Sequence, residues 1–295
     1  MNSTFSLLFT SCALAGIITA CGSSEEKKPE VEKEVLDPNS SLNTNFDGMI
    51  FSIPSPMQTA LLLKEANAPF NEAYLNSLDN VENYSTEMRK ALNLGIYGTD
   101  LGYLAIYKQN SLSLKYLATI EKLTSDLGLE GAFDKNFMSR FEKNSTNQDS
   151  MMVIVSDAFK KSDNYLKTND RKSVSALILV GGWIESLYLA CEINHQGDNP
   201  KISQRIGEQR ETLATIIEIL TKYNKKGSNN ELIADMKDLK KYFDEILVEY
   251  DFVQPTTDAA KKLTTLRHKT NVKMDSNLLN FINEKIGSIR EKITA

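Results

Sequence analysis

Between Arg171 and His195 the sequence reads RKSVSALILVGGWIESLYLACEINH, and from Ala176 to Cys191 it is apolar on every face a helix could present, Glu185 and Ser186 excepted. A helix apolar all round is either the centre of a packed bundle or a membrane span. Spanning takes roughly 20 apolar residues. This run is shorter and holds a carboxylate near its middle, which lipid disfavours. The stretch therefore predicts a buried central helix, 171–195, around which the other segments pack.

Those segments carry one-sided stripes at helical spacing. Leu117, Ile120, Leu123 and Leu127 form one, with Gly128 placed to end the helix. Asp149 or Ser150 is placed to cap another. Ile202, Ile206, Leu213, Ile216, Leu220 and Tyr223 predict a single helix, and Leu232, Met236, Leu239, Phe243, Ile246 and Tyr250 a second. Leu278, Phe281, Ile282, Ile286, Ile289 and Ile293 define the last. Such seams serve either as coiled-coil surfaces for a partner or as internal seams of an antiparallel bundle, and the short connections favour the second. The fold class expected is all-α, a bundle of about eight or nine helices. Met49–Ile53, stopped by Pro54 and Pro56, reads as an extended arm, and a short helix is expected near 71–78. Residues 254–274 read as an irregular basic loop, solvated or touching anionic lipid.

The segment ALNLGIYGTDLGYLAIY places Gly95, Gly98 and Gly102 at spacings of three and four, on one helix face. Each glycine costs about 1 kcal/mol of helix propensity, so a close backbone approach is expected there, against Gly181-Gly182. Ala91–Ala105 aligned with Ala176–Ala190 shares six identities and sets Asp100 opposite Glu185. This suggests two related helical hairpins, 85–127 and 171–224.

Residues 1–20, MNSTFSLLFTSCALAGIITA, form an apolar core ending in small residues before Cys21. The stretch resembles the signal peptide of bacterial lipoproteins, whose cleavage motif here is Ile18-Thr19-Ala20-Cys21. The resemblance implies removal of 1–20 and lipidation of Cys21, and two acyl chains give stable anchoring in a lipid bilayer. It departs from the usual pattern in lacking Lys and Arg at its start. Of the three cysteines, Cys12 would leave with the leader and Cys21 take lipid, so Cys191 could form no internal disulfide.

Residues 21–47 are polar and acidic and read as a flexible tether, leaving 48–295 as a single all-α domain. Between Gly22 and Asp47 seven acids outnumber three lysines, which places −4 of the chain's net −5 there and leaves about −1 beyond it. That balance lacks the basic footprint of nucleic-acid binders. The acids behind Cys21, in Gly22-Ser23-Ser24-Glu25-Glu26, resemble those of Bacteroidota lipoproteins exported to the outer membrane. The segments ALNLGIYGTDLGY and GGWIESLY are similar to helical lipoproteins of that group. The resemblance implies a cell-envelope location, lipid-anchored in the outer membrane on its periplasmic face or at the cell surface. It implies no activity.

Residues of known chemistry are few. His195 and His268 have no second ligand at zinc spacing, and no phosphate loop, dinucleotide fingerprint or serine elbow occurs. No metal or cofactor is expected. Asp100 and Glu185 stand out, each inside an apolar helix, because a buried carboxylate must be paired, hydrogen-bonded or protonated. They define a candidate ligand niche with Tyr97, Tyr103, Trp183 and Tyr188. In the structural alternative, tyrosine hydroxyls, Asn93 or an arginine satisfy both acids. The function expected is a non-catalytic binding or scaffold module for an envelope protein partner. The alternative is a receptor for a small ligand or cation in the Asp100/Glu185 niche.

Overall fold

The all-round apolar stretch folds as one helix of 26 residues, Lys172–Gly197. It belongs to a computed structural model describing residues 42–47, 49–53, 56–132, 137–144, 147–197, 199–224, 227–260, 262–265 and 269–295. The leader, Cys21 and the tether up to residue 41 lie outside the described residues.

Ten α-helices occur among the described residues. They are α1 (Pro56–Glu65), α2 (Glu87–Ile106), α3 (Asn110–Asp126), α4 (Phe137–Lys143), α5 (Gln148–Thr168), α6 (Lys172–Gly197), α7 (Pro200–Gly207), α8 (Gln209–Lys222), α9 (Asn230–Asp244) and α10 (Ser276–Thr294). Alone among the described residues, α6 is long and apolar enough to cross a membrane, yet 89% of its apolar window is buried in protein. It is the centre of an all-α bundle, with α2 packed closest along it and α1, α5, α7, α8 and α10 completing the surround.

Two glycines allow that closeness. A Cβ on Gly95 would lie 2.0 Å from the Ile178 carbonyl oxygen and 2.6 Å from the Gly182 nitrogen. A Cβ on Gly181 would lie 1.9 Å from the Leu92 oxygen. The Thr99 hydroxyl bridges the two helices, donating to Gly95 O at 3.1 Å and Gly182 O at 3.2 Å. Gly98 serves another neighbour: its missing Cβ makes room for the Phe159 ring of α5. The aligned segments Ala91–Ala105 and Ala176–Ala190 are thus the two helices in closest contact. Their successors in the chain differ, since α3 runs unbroken for 17 residues while its expected counterpart splits at Glu208.

That split revises the single helix expected over 202–223. Gly207 ends α7 where a Cβ would strike Val272 Cγ1 at 2.2 Å, so the chain bends to seat a strand. The strand is β6 (Lys269–Lys273), paired antiparallel with β3 (Leu247–Asp251). Beyond them β4 (Thr256–Asp258) pairs with β5 (Leu263–Thr265). The basic stretch expected to be irregular is therefore a long β-hairpin. For the same reason α9 stops at Asp244, and Tyr250 is 58% exposed on β3 rather than continuing a helical seam.

The folded part also begins earlier than the expected boundary at Gly48. β1 (Leu42–Phe46) pairs with β2 (Met49–Ile53) in register Phe46↔Met49. Phe46 is fully buried, its ring centroid 5.6 Å from that of Tyr223. Asp47 accepts the Tyr223 hydroxyl at 2.6 Å and pairs with Lys172 and Lys222, fastening the hairpin to α6 and α8. Residues 42–47 are thus folded rather than tether. In place of a helix near 71–78 there are two 3-10 turns, Glu72–Tyr74 and Leu78–Asn83, opened by the side chains of Asn71 and Ser77. α5 is capped by Asn147, whose Oδ1 accepts from Ser150 N at 3.1 Å, and not by Asp149 or Ser150. Gly128 ends α3 as expected, at φ +63°.

Candidate functional site

Helix geometry sets the two acids together. α2 carries Asp100 and α6 carries Glu185, both past the glycine crossing, and both are wholly without solvent exposure. The two acids are near enough that Glu185 raises the pKa of Asp100. α10 then brings in Arg290, which donates from Nε to Glu185 Oε2 at 2.6 Å and from Nη2 to Glu185 Oε1 at 2.8 Å. The same Nη2 reaches the Tyr74 carbonyl at 2.9 Å, and the guanidinium lies 4.2 Å above the Tyr188 ring. Asp100 receives the Asn76 backbone N–H on Oδ2 at 3.1 Å, while its Oδ1 receives no donor among the described residues.

Burial, and then the Glu185 carboxylate beside it, hold the Asp100 carboxyl well above its ordinary 3.8. A proton on Asp100 relieves the repulsion between two neighbouring carboxylates. Burial works against the Arg290 charge, and Glu185 more than offsets it. With a proton held on Asp100, the charge left beside it is the Glu185–Arg290 ion pair, and a paired charge is what a helical core tolerates.

Asn76 extends the cluster outward. Its Nδ2 donates to Tyr84 Oη at 3.0 Å and Asn93 Oδ1 at 3.3 Å, and its carbonyl accepts from Tyr116 Oη at 2.7 Å. Asn93 Nδ2 donates to the Ile293 carbonyl of α10 at 2.9 Å. The polar groups thus tie the 3-10 turns and the last helix onto α2, α3 and α6.

The expected niche residues divide. Asp100 and Glu185 come together, and Tyr188 joins them through the Arg290 guanidinium. The Tyr97 hydroxyl points instead to Ser77 O at 2.7 Å, and that of Tyr103 accepts from Asn71 N at 3.0 Å. Trp183 lies outside the niche: two residues from Glu185 it occupies another face of α6, and its indole N–H donates to Gln209 Oε1 at 3.1 Å. Arg290, Tyr74 and Asn76 were not singled out from sequence. Arg290 follows Ile282 and Ile286 at steps of four along α10, a cation on an apolar ridge, and that is the trace it leaves.

Chemically, this arrangement holds elements together. Arg290 stands where a bound cation would stand beside the acids. Among the described residues no group of three or more His, Cys, Asp or Glu side chains is placed to hold a metal. Cys191 is buried, and burial pushes its thiol upward, away from the reactive thiolate.

A different surface is open. Between the base of the β3–β6 pair and the start of α10 lies an open groove of about 590 Å³, in which Leu247, Val272, Met274, Leu278 and Phe281 share the lining with the polar Glu245, Lys273, Asp275 and Asn277. Phe281 is 50% exposed and stacks on Tyr242 at 5.7 Å, and Leu247 is 66% exposed. The Gln204 amide pins this wall by mimicking a strand edge: Nε2 donates to Thr270 O at 2.8 Å and Oε1 accepts from Val272 N at 2.9 Å.

No protein-family model matches this sequence, and comparison with curated proteins and with solved structures returns no similar chain.

Proposed function

We propose that this chain is a cell-envelope lipoprotein, anchored to the outer membrane through acylated Cys21, whose helical body is a non-catalytic binding module for a protein partner. The observation that carries the partner reading is the groove beside α10. It presents Phe281 and Leu247, large apolar side chains open to solvent, and exposed aromatic side chains are common anchors of partners. The acid pair is closed to solvent and neutralised from within by Arg290, which supports a structural duty for it rather than ligand capture or turnover.

Antibody capture of the native protein from gently solubilised membranes tests this reading. One partner in near-equal amount, lost with Phe281→Asp and Leu247→Asp, supports it. Recovery of the protein alone overturns it, and a partner held equally by the variants moves the interface elsewhere. Metabolic labelling with an alkyne fatty acid tests the anchor separately: wild type takes label and Cys21→Ser does not.

A further inference from the structure

Beyond the groove, the hairpin has no interior. Every described residue from Leu247 to Thr265 is exposed, although a two-stranded ribbon is marginally stable in water unless something covers it. Its far half shows Phe252, Val253 and Leu263 to solvent, at 64, 42 and 55%. The turn joining β4 to β5 includes exposed Ala259, Ala260 and Lys262, the last at φ +51°. Around them the sequence is basic. Residues 252–268 contain Lys261, Lys262 and Arg267 against Asp258, a net of +2 within a chain of −5. The remaining polar side chains of β4 and β5 are mostly threonines, and the Thr257 and Thr264 hydroxyls bond to each other at 3.1 Å across the strands.

Exposed apolar side chains in a basic stretch of sequence suit one kind of surface better than others. Lysine is depleted where proteins meet proteins. Elements lying at a bilayer surface combine aromatic and aliphatic groups with Lys and Arg, which pair with anionic headgroups. We propose that the end of this hairpin docks on an anionic phospholipid bilayer, with Phe252, Val253 and Leu263 entering the headgroup boundary and Lys262 meeting phosphate. This rests on the lipoprotein reading for the bilayer's presence, and it assigns the protein a second membrane contact that does not involve the acyl anchor. The contact fixes which way the body, and so the groove beside α10, faces from the membrane.

Phe252→Trp in the full chain tests it, since the chain's one natural tryptophan, Trp183, is 2% exposed and serves as the internal reference. Vesicles of brominated phosphatidylglycerol should quench the introduced indole, and brominated phosphatidylcholine should not. Lys261→Glu with Lys262→Glu should weaken vesicle affinity by about tenfold or more. The quenching should persist in Cys21→Ser, whatever the outcome of the fatty-acid labelling. Equal quenching on both lipids, or quenching that depends on Cys21 acylation alone, overturns the proposal. So does an indole quenched by neither, which would leave the hairpin to a protein partner.

Discussion

Arg290 closes on Glu185 through two hydrogen bonds, of 2.6 and 2.8 Å, across 105 residues of sequence. The pair joins α10, the last helix, to the middle of α6. Removing the cation strands a carboxylate that has no solvent exposure, beside a second acid. Arg290→Met should therefore cost about 3–5 kcal/mol in urea unfolding. Adding Glu185→Leu removes the stranded charge and should recover most of that loss. A double variant as unstable as Arg290→Met would show that packing of the arginine stem, and not the charge, holds α10 in place.

Asp100 sets a pH dependence of defined sign. Its folded pKa is raised by burial and then by Glu185, above an ordinary 3.8. Folding therefore retains a proton that the unfolded chain has lost. Its contribution is complete below about 3.8 and declines as pH rises towards the raised value, by up to about 1.4 kcal/mol per unit. Asp100→Asn keeps an acceptor for Asn76 N–H without titrating. It should be more stable than wild type at pH 8, with the difference vanishing near pH 4. Equal effects at both pH values would contradict a protonated Asp100.

The glycines separate by what surrounds them. Gly181→Ala sets a Cβ 1.9 Å from a backbone oxygen of α2 and should destabilise by about 1–3 kcal/mol or more. Gly287, inside α10, has nothing within 4 Å of the same position, so Gly287→Ala should stabilise by about 0.5–1 kcal/mol. Thermal midpoints of the two variants check the contrast.

Asp47 holds the N-terminal hairpin by charge. Hydrogen bonds from Lys172 and Tyr223 keep its carboxyl well below the usual range. That contribution is present above the ordinary carboxylate pKa and is lost as pH falls through the depressed one. Asp47→Ala should speed amide exchange across 42–53 while leaving the global unfolding midpoint in place. Unchanged exchange there would assign the hairpin's attachment to Phe46 alone.

Helical parts of this fold were legible where one period ruled. α6 showed itself by having no polar face, and the crossing with α2 by Gly95 opposite Gly181-Gly182. Where two periods fit, the helical one misleads. Phe243, Ile246 and Tyr250 step by three and four, yet Val248–Asp251 also alternates as a strand does, and pairing with β6 decides in favour of the strand. Asp47-Gly48 between Phe46 and Met49 is a tight-hairpin signal, hidden at the end of a charged, polar stretch. Of the niche, the acids could be read because buried carboxylates are rare. Arg290 could not be paired with them, since nothing local links residues 105 positions apart. Trp183 could have been set aside by geometry alone, because residues two apart on a helix do not share a face.

The proposal that the groove beside α10 seats an envelope partner is tested most directly by photo-crosslinking in intact cells. A photoreactive amino acid at Phe281 should give one discrete adduct, and the same group at exposed Lys115 on α3 should give none. No adduct from either position, or the same adduct from both, would contradict a partner seated beside α10.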